Sequence, residues 1–377
     1  MKSLRLLVVP FLLVACSGSD AASTVTTAPP PVETSVAPTT AAPTTTPPTT
    51  VAPTTTLASP SGGVFPGADW ETADLPGSVD RAALDAAVDV AFGKPDAAGR
   101  VRSIVIVQGG KITYERYHPL DNAETIMDSY SVAKSVTSSL IGILTGDGKL
   151  DVDAPAPVTE WADPADPRHE ITLADLLHMS SGLKWQEDYS TESLVRGMVT
   201  APVASAFVAS QPLTSPPGTE WQYSTGTTAI LAGILTDTVG DPAKTDEFIE
   251  DRLLGPIGIT SMEFQRDRAG RWFGGFGANA TTRDFARFGL LFLNDGVWNG
   301  QRLLPEGWVD YSRTPSPTSA QYGAQWWMLH DDAFEARGLF GQIVLVSQKN
   351  DVVIAINTTQ GGDADTLVDT VYPLFQS

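Results

Sequence analysis

Strand-type residues gather near the two ends of the folding part of this sequence, and the long stretch between them is helical in pattern. "RSIVIVQGGKITYERY" (102–117) holds two β-rich runs joined by Gly109-Gly110, the signal of a two-residue hairpin. "YGAQWWMLH" (322–330), "FEARGLFGQIVLVSQ" (334–348) and "DVVIAINTT" (351–359) read as three further strands. Two early strands, a helical middle and three late strands predict an α+β class in which both chain ends build one antiparallel sheet. A single sheet of that kind forces everything between the strands to pack as an insertion against it.

The expected helices fall in that scheme. "RAALDAAVDVAFGK" follows Ser78 as a cap, and a largely apolar helix runs from near Ser131 to Thr145-Gly146. Thr172 and Asp175 stand at capping-box spacing before an apolar pair. A helix of small and apolar residues ends near Gly240, "TTRDFARFGLLFLNDG" reads as amphipathic, and a closing helix follows Gly362.

The first residues have a different character. Lys2 and Arg5 precede an apolar run from Leu6 to Ala15 and then Cys16, the only cysteine in the 377 residues. A basic start and a short apolar core form a secretory signal, and Leu13-Val14-Ala15-Cys16 resembles a bacterial lipobox. Residues 1–16 are therefore expected to be a lipoprotein signal peptide with Cys16 lipidated. Residues 17–63, rich in Thr and Pro, are expected to be a disordered stalk, and 64–377 the folded domain. The expected location is the bacterial envelope outside the cytoplasm, with membrane contact only through the lipid anchor. One cysteine permits no intrachain disulfide, so the domain must be held by its own core. A net charge of −20 argues against nucleic acid and anionic headgroups as partners. His118, His169, His178 and His330 show no metal-ligand spacing, and neither a metal nor another cofactor is expected.

Within the expected central helix, "DSYSVAKSVTSSLIGIL" places Ser131 and Lys134 three residues apart, on one helical face. A serine hydroxyl needs a base to become a nucleophile. A lysine buried among apolar residues is such a base, because desolvation disfavours its ammonium form. At a helix start, Ser131 also has a backbone N–H and the positive dipole end to offer a developing oxyanion. The S-x-x-K pattern is weak on its own, and Ser181-Gly-Leu-Lys184 repeats it in a loop. The apolar flanks single out the first copy. The G-x-S-x-G elbow of α/β-hydrolases is absent from the chain.

"DSYSVAKSVTSSLIG", "ITLADLLHMSSGL", "PPGTEWQYSTG", "LLGPIGITSM" and "GGFGANATTRDFARFGLLFLNDGVWNG" together resemble the serine β-lactamase and penicillin-binding-protein superfamily, in its class C branch. "ARGLFGQ" is similar to the 6-aminohexanoate-dimer hydrolase group within it. The resemblance covers nearly all of 70–377 and implies a β-lactamase-like fold and a serine hydrolase working through an acyl-enzyme. It places Tyr223 of Tyr223-Ser224-Thr225 at the family's Tyr-x-Asn motif, as a proton relay, with Thr where the family has Asn. It puts Ala336-Arg337-Gly338 at the K-T-G motif, so that the N–H of Leu339 joins that of Ser131 in an oxyanion hole beside Gly338. Tyr189 and Trp185, in "KWQEDYS", are candidates to lie over the cleft. The departures at the second and third motifs remove groups that would hold a β-lactam side chain or a peptide carboxylate. Small esters or linear amides are thus the expected substrates. A cell-wall D-peptidase or D-aminopeptidase and a non-catalytic wall-binding module remain as alternatives.

Overall fold

The computed structural model describes residues 63–93 and 100–376. The signal peptide, Cys16 and the stalk up to residue 62 lie outside the described residues.

Six strands form the main sheet: β1 (Val101–Gln108), β2 (Lys111–Tyr117), β3 (Trp327–His330), β4 (Ala333–Gly338), β5 (Gln342–Ser347) and β6 (Val352–Thr358). Their order is β2-β1-β6-β5-β4-β3, antiparallel throughout, so the two chain ends meet at the β1–β6 pair. Gly109 and Gly110 both take positive φ, 57° and 74°, as the hairpin signal requires, and Gln108 pairs with Lys111. The late segment supplies four strands where the sequence pattern suggested three. "FEARGLFGQIVLVSQ" is itself a hairpin, folded at Phe340 and Gly341 with φ of 64° and 89°. The turn is hard to read from sequence because Phe is a rare occupant of the left-handed region.

The sheet is covered on both faces, which is why β1 and β6 read as unbroken Val/Ile runs. One face packs helix α1 (Arg81–Phe92) and the C-terminal helix α5 (Ala364–Val371) through Ile104, Ile106, Leu345, Ile354 and Ile356. The other face, with Val105, Val107, Val344, Val346, Val353 and Ala355, packs against the helical insertion. Three helices of that insertion matter for the site: α2 (Val132–Gly146), α3 (Thr225–Val239) and α4 (Thr282–Leu293). The cap of α1 is Asp80, whose side chain accepts from Ala82 and Ala83, rather than Ser78. The expected capping box at Thr172 and Asp175 is formed in both directions. Helix α4 departs from the amphipathic expectation: every residue but Arg283 is buried, because it is clamped between the sheet and its neighbours.

Helix α2 is buried from Val132 to Leu144. Its polar residues are compatible with that burial because each hydroxyl finds a carbonyl. Ser135 donates to Gln325 O (2.7 Å), Ser138 to Ala324 O (3.0 Å), Thr137 to Gly274 O (2.9 Å) and Ser139 to Ser135 O (2.9 Å). The first three bonds fix the helix to the loops around it, and with it whatever its N-terminus presents.

Candidate active site

Ser131 is the N-cap of α2, but its side chain makes no capping bond. The residue before it, Tyr130, has φ of 41°, a conformation that costs a non-glycine residue roughly 1–3 kcal/mol. The loop is held there from both sides. The Ala278 N–H donates to Ser129 Oγ (2.9 Å), and the Ser129 N–H donates to Asn279 Oδ1 (3.0 Å). The Tyr130 ring meets Phe340 edge-on at 5.3 Å. Gly338 closes the arrangement, because a Cβ there would lie 2.4 Å from Ser129 O and 3.0 Å from Tyr130 Cβ. Its close approach is thus to the loop that carries Ser131.

Lys134 is 1% exposed. Its Nζ donates to Ser131 Oγ (2.9 Å), Thr225 Oγ1 (3.0 Å) and the Gly275 carbonyl (2.9 Å). An ammonium has three donors, and here all three go to neutral oxygens. The Tyr223 ring centroid lies 4.9 Å from the same nitrogen. Burial pulls the lysine down from its ordinary 10.5 to about 8, against the opposing charge of Glu187. An amine tuned in this way is poised to take the Ser131 proton at mildly alkaline pH. Gly275 is needed where it stands: a Cβ would sit 2.7 Å from Thr225 Cγ2 and 2.9 Å from Thr225 O.

Behind Thr225 lies a carboxylate that sequence reasoning missed. Glu187 accepts from Trp185 Nε1 (2.8 Å), the Thr225 N–H (2.8 Å) and Tyr189 Oη (3.0 Å), and also from the Thr225 hydroxyl. The single Thr225 proton goes to Glu187, so the Thr225 oxygen faces Lys134 as an acceptor. Burial alone would raise the Glu187 carboxyl, but the Lys134 charge and the bonds from Thr225 and Trp185 hold it below its ordinary range. Thr225 thus links the lysine to a carboxylate. The available signal was a Glu flanked by Trp185 and Tyr189 in an otherwise polar loop.

Tyr223, against Trp221, Tyr322 and Trp327, has its phenol pushed up by burial, with the Ser131 hydroxyl only partly opposing. It therefore stays protonated as a donor. Ser131, Tyr189, Tyr223, Gly338 and Leu339 line one pocket of about 290 Å³, together with Trp327, Leu329 and Arg337. The sequence-derived candidates of the folded domain thus converge, with Lys134 bonded to Ser131 behind the pocket wall. Trp185 does not lie over the cleft; it is buried, donating to Glu187. At the start of α2 the N–H groups of Val132, Ala133 and Lys134 bond to the carbonyls of Ser129, Tyr130 and Ser131. That leaves the Ser131 N–H as a candidate oxyanion donor in the pocket that Leu339, just past β4, also lines.

Alternation along β4 turns Arg337 away from Ala336 and Gly338, to the face covered by α5. There it donates to Glu335 (2.5 Å) and to Asp365. No group of three or more His, Cys, Asp or Glu among the described residues could hold a metal ion.

The fold and this pocket define a class, the β-lactamase and penicillin-binding-protein-like proteins. An octameric penicillin-binding protein homologue from Pyrococcus abyssi superposes with a TM-score of 0.61 at 17% identity, over 79% of this chain and 78% of that one. A hydrolase with promiscuous acyltransferase activity does so at 0.62 and 16%, over 77% and 99%. The Beta-lactamase family model matches residues 84–372, and the chain belongs to that family. A 6-aminohexanoate-dimer hydrolase of Paenarthrobacter ureafaciens is 25% identical over 70% of this chain and 74% of its own length. The chain is accordingly a serine hydrolase of the amide- and ester-cleaving kind.

Proposed function

We propose that Ser131 is the nucleophile, Lys134 its base and Tyr223 the proton relay, in an acyl-enzyme mechanism acting on small esters or linear amides. The observation that carries this reading is the 2.9 Å bond between Lys134 Nζ and Ser131 Oγ, made by a lysine whose remaining partners are neutral. Ser131 Oγ attacks the carbonyl carbon as its proton passes to Lys134, and the N–H groups of Ser131 and Leu339 receive the oxyanion. Tyr223 hands a proton to the departing alcohol or amine and is reprotonated from Lys134. Water then attacks the Ser131 ester by the same route, releasing the acid and restoring the hydroxyl.

Intact mass after incubation with a fluorophosphonate tests the assignment. One adduct is expected on the parent, none on Ser131→Ala, and slow formation on Lys134→Ala; an adduct that survives Ser131→Ala would overturn it. A D-peptidase has less support, because Arg337, the one cationic residue in the pocket lining, is already paired with Glu335 and Asp365. A binding module has no need of a lysine desolvated beside a serine. We also propose that the chain works outside the cytoplasm, anchored through Cys16. Metabolic labelling with a palmitate analogue, lost in Cys16→Ala, checks that location.

A further inference from the structure

The pocket at Ser131 has an apolar mouth and no available counter-ion for an anion. Few large hydrophobic side chains among the described residues are well exposed, and three of them ring this one pocket: Tyr189 at 48%, Leu329 at 40% and Leu339 at 39%. Exposed apolar side chains gathered around a concave site mark a place where something apolar is received. Behind the rim the wall is aromatic. Tyr223 packs 5.5 Å from Trp327, and both pack on Tyr322, at 5.8 Å and 4.8 Å. Trp327 and Leu329 share one face of β3, while His330 turns to the other and meets the buried Glu335 at 2.9 Å.

Positive charge at the pocket is fully committed. Arg337 is the one cationic residue in the lining, and its guanidinium is held between Glu335, which is wholly buried, and Asp365. The three donors of Lys134 are taken by Ser131, Thr225 and Gly275. Another fixed charge at this side is Glu187, which accepts from the Tyr189 hydroxyl at the rim. A carboxylate entering here would lose water, gain no ion pair, and face a carboxylate within a chain of net charge −20.

We propose that this site takes uncharged esters and amides with an apolar acyl portion, and rejects the same molecules when the acyl chain ends in a carboxylate. The proposal rests on the serine-hydrolase reading given above and narrows its substrate class.

The test compares p-nitrophenyl hexanoate with mono-p-nitrophenyl adipate, which share leaving group and acyl length and differ by one carboxylate. The neutral ester is expected to be favoured in kcat/KM by roughly 50-fold at low salt, the size expected for leaving a desolvated charge unpaired. High salt should narrow that gap by screening Glu187 and the surface field. Leu329→Lys, which sets a cation on the rim, should reduce the preference to about fivefold or less. If that variant does not fold, butylboronic acid and 3-carboxypropylboronic acid as inhibitors of the parent give the same comparison, with the neutral compound expected to bind more tightly. Comparable rates for both esters, or a preference for the adipate, would overturn the proposal while a fluorophosphonate adduct on Ser131 still upheld the hydrolase reading. No turnover of either ester and no adduct would overturn both.

Discussion

The chain carries S-x-x-K twice, and the two copies share the pattern but not the setting. At Ser131–Lys134 the lysine is 1% exposed and donates to the serine it follows by three residues. At Ser181–Lys184 the lysine is exposed, its N–H bonds to Pro212 O at 2.7 Å, and Ser181 Oγ accepts from the Leu183 N–H at 3.4 Å. Gly182, with φ of 71°, breaks the helical geometry that would bring the two side chains together. The four-residue pattern therefore has no chemistry of its own. What sets the first copy apart is a helix start that aligns the pair and a core that strips water from the amine.

That contrast is easily put at risk. The largest effect is expected from the two serines: Ser131→Ala should lower ester hydrolysis by at least about 10⁴-fold, while Ser181→Ala stays within about twofold of the parent. Next come the lysines. Lys134→Ala should cost about 10²–10⁴-fold in kcat/KM and Lys184→Ala almost nothing, with both variants assayed under identical conditions. A smaller effect, of about tenfold, is expected from Glu187→Gln. The carboxylate raises the Lys134 pKa, so its removal should move the rising limb of the pH–rate profile, centred near pH 8 in the parent, to lower pH. A purely structural loss would leave the midpoint where it was.

The smallest effect lies in stability. Lys134 titrates near 8 when folded and near 10.5 when unfolded, so between those values the unfolded chain binds more protons. Stability contributed at this position should therefore rise with pH across that window and be at its lowest below pH 8. Thermal melts of the parent and Lys134→Met, taken from pH 7.5 to 10.5, should show the difference changing in the parent's favour.

The legible parts were those whose cause is local. The Gly109-Gly110 hairpin and the Thr172/Asp175 capping box each follow from a few neighbouring residues, and both are formed. Ser131 and Lys134 were legible because their spacing is itself the geometry, whereas Tyr223 was reached only through the family resemblance. Harder were features that depend on distant partners. The turn at Phe340 relies on contact with Tyr130, more than two hundred residues earlier. The full burial of α4 depends on a sheet it meets only after folding. Glu187 was harder to recognise because its links to Thr225 and Lys134 join segments far apart in sequence.

One feature of the sheet bears on how this chain comes into being. Strand β1 lies between its hairpin partner β2 and strand β6, where Ile106 pairs with Ile354. The first pairing can close within microseconds of leaving the ribosome, whereas the second must wait for nearly the whole domain and a long loop closure. Until then one edge of β1, a run of Val and Ile, is a bare template for any other strand. Chains stopped before residue 352 would keep that edge permanently, so prematurely terminated product should aggregate rather than linger as a soluble fragment.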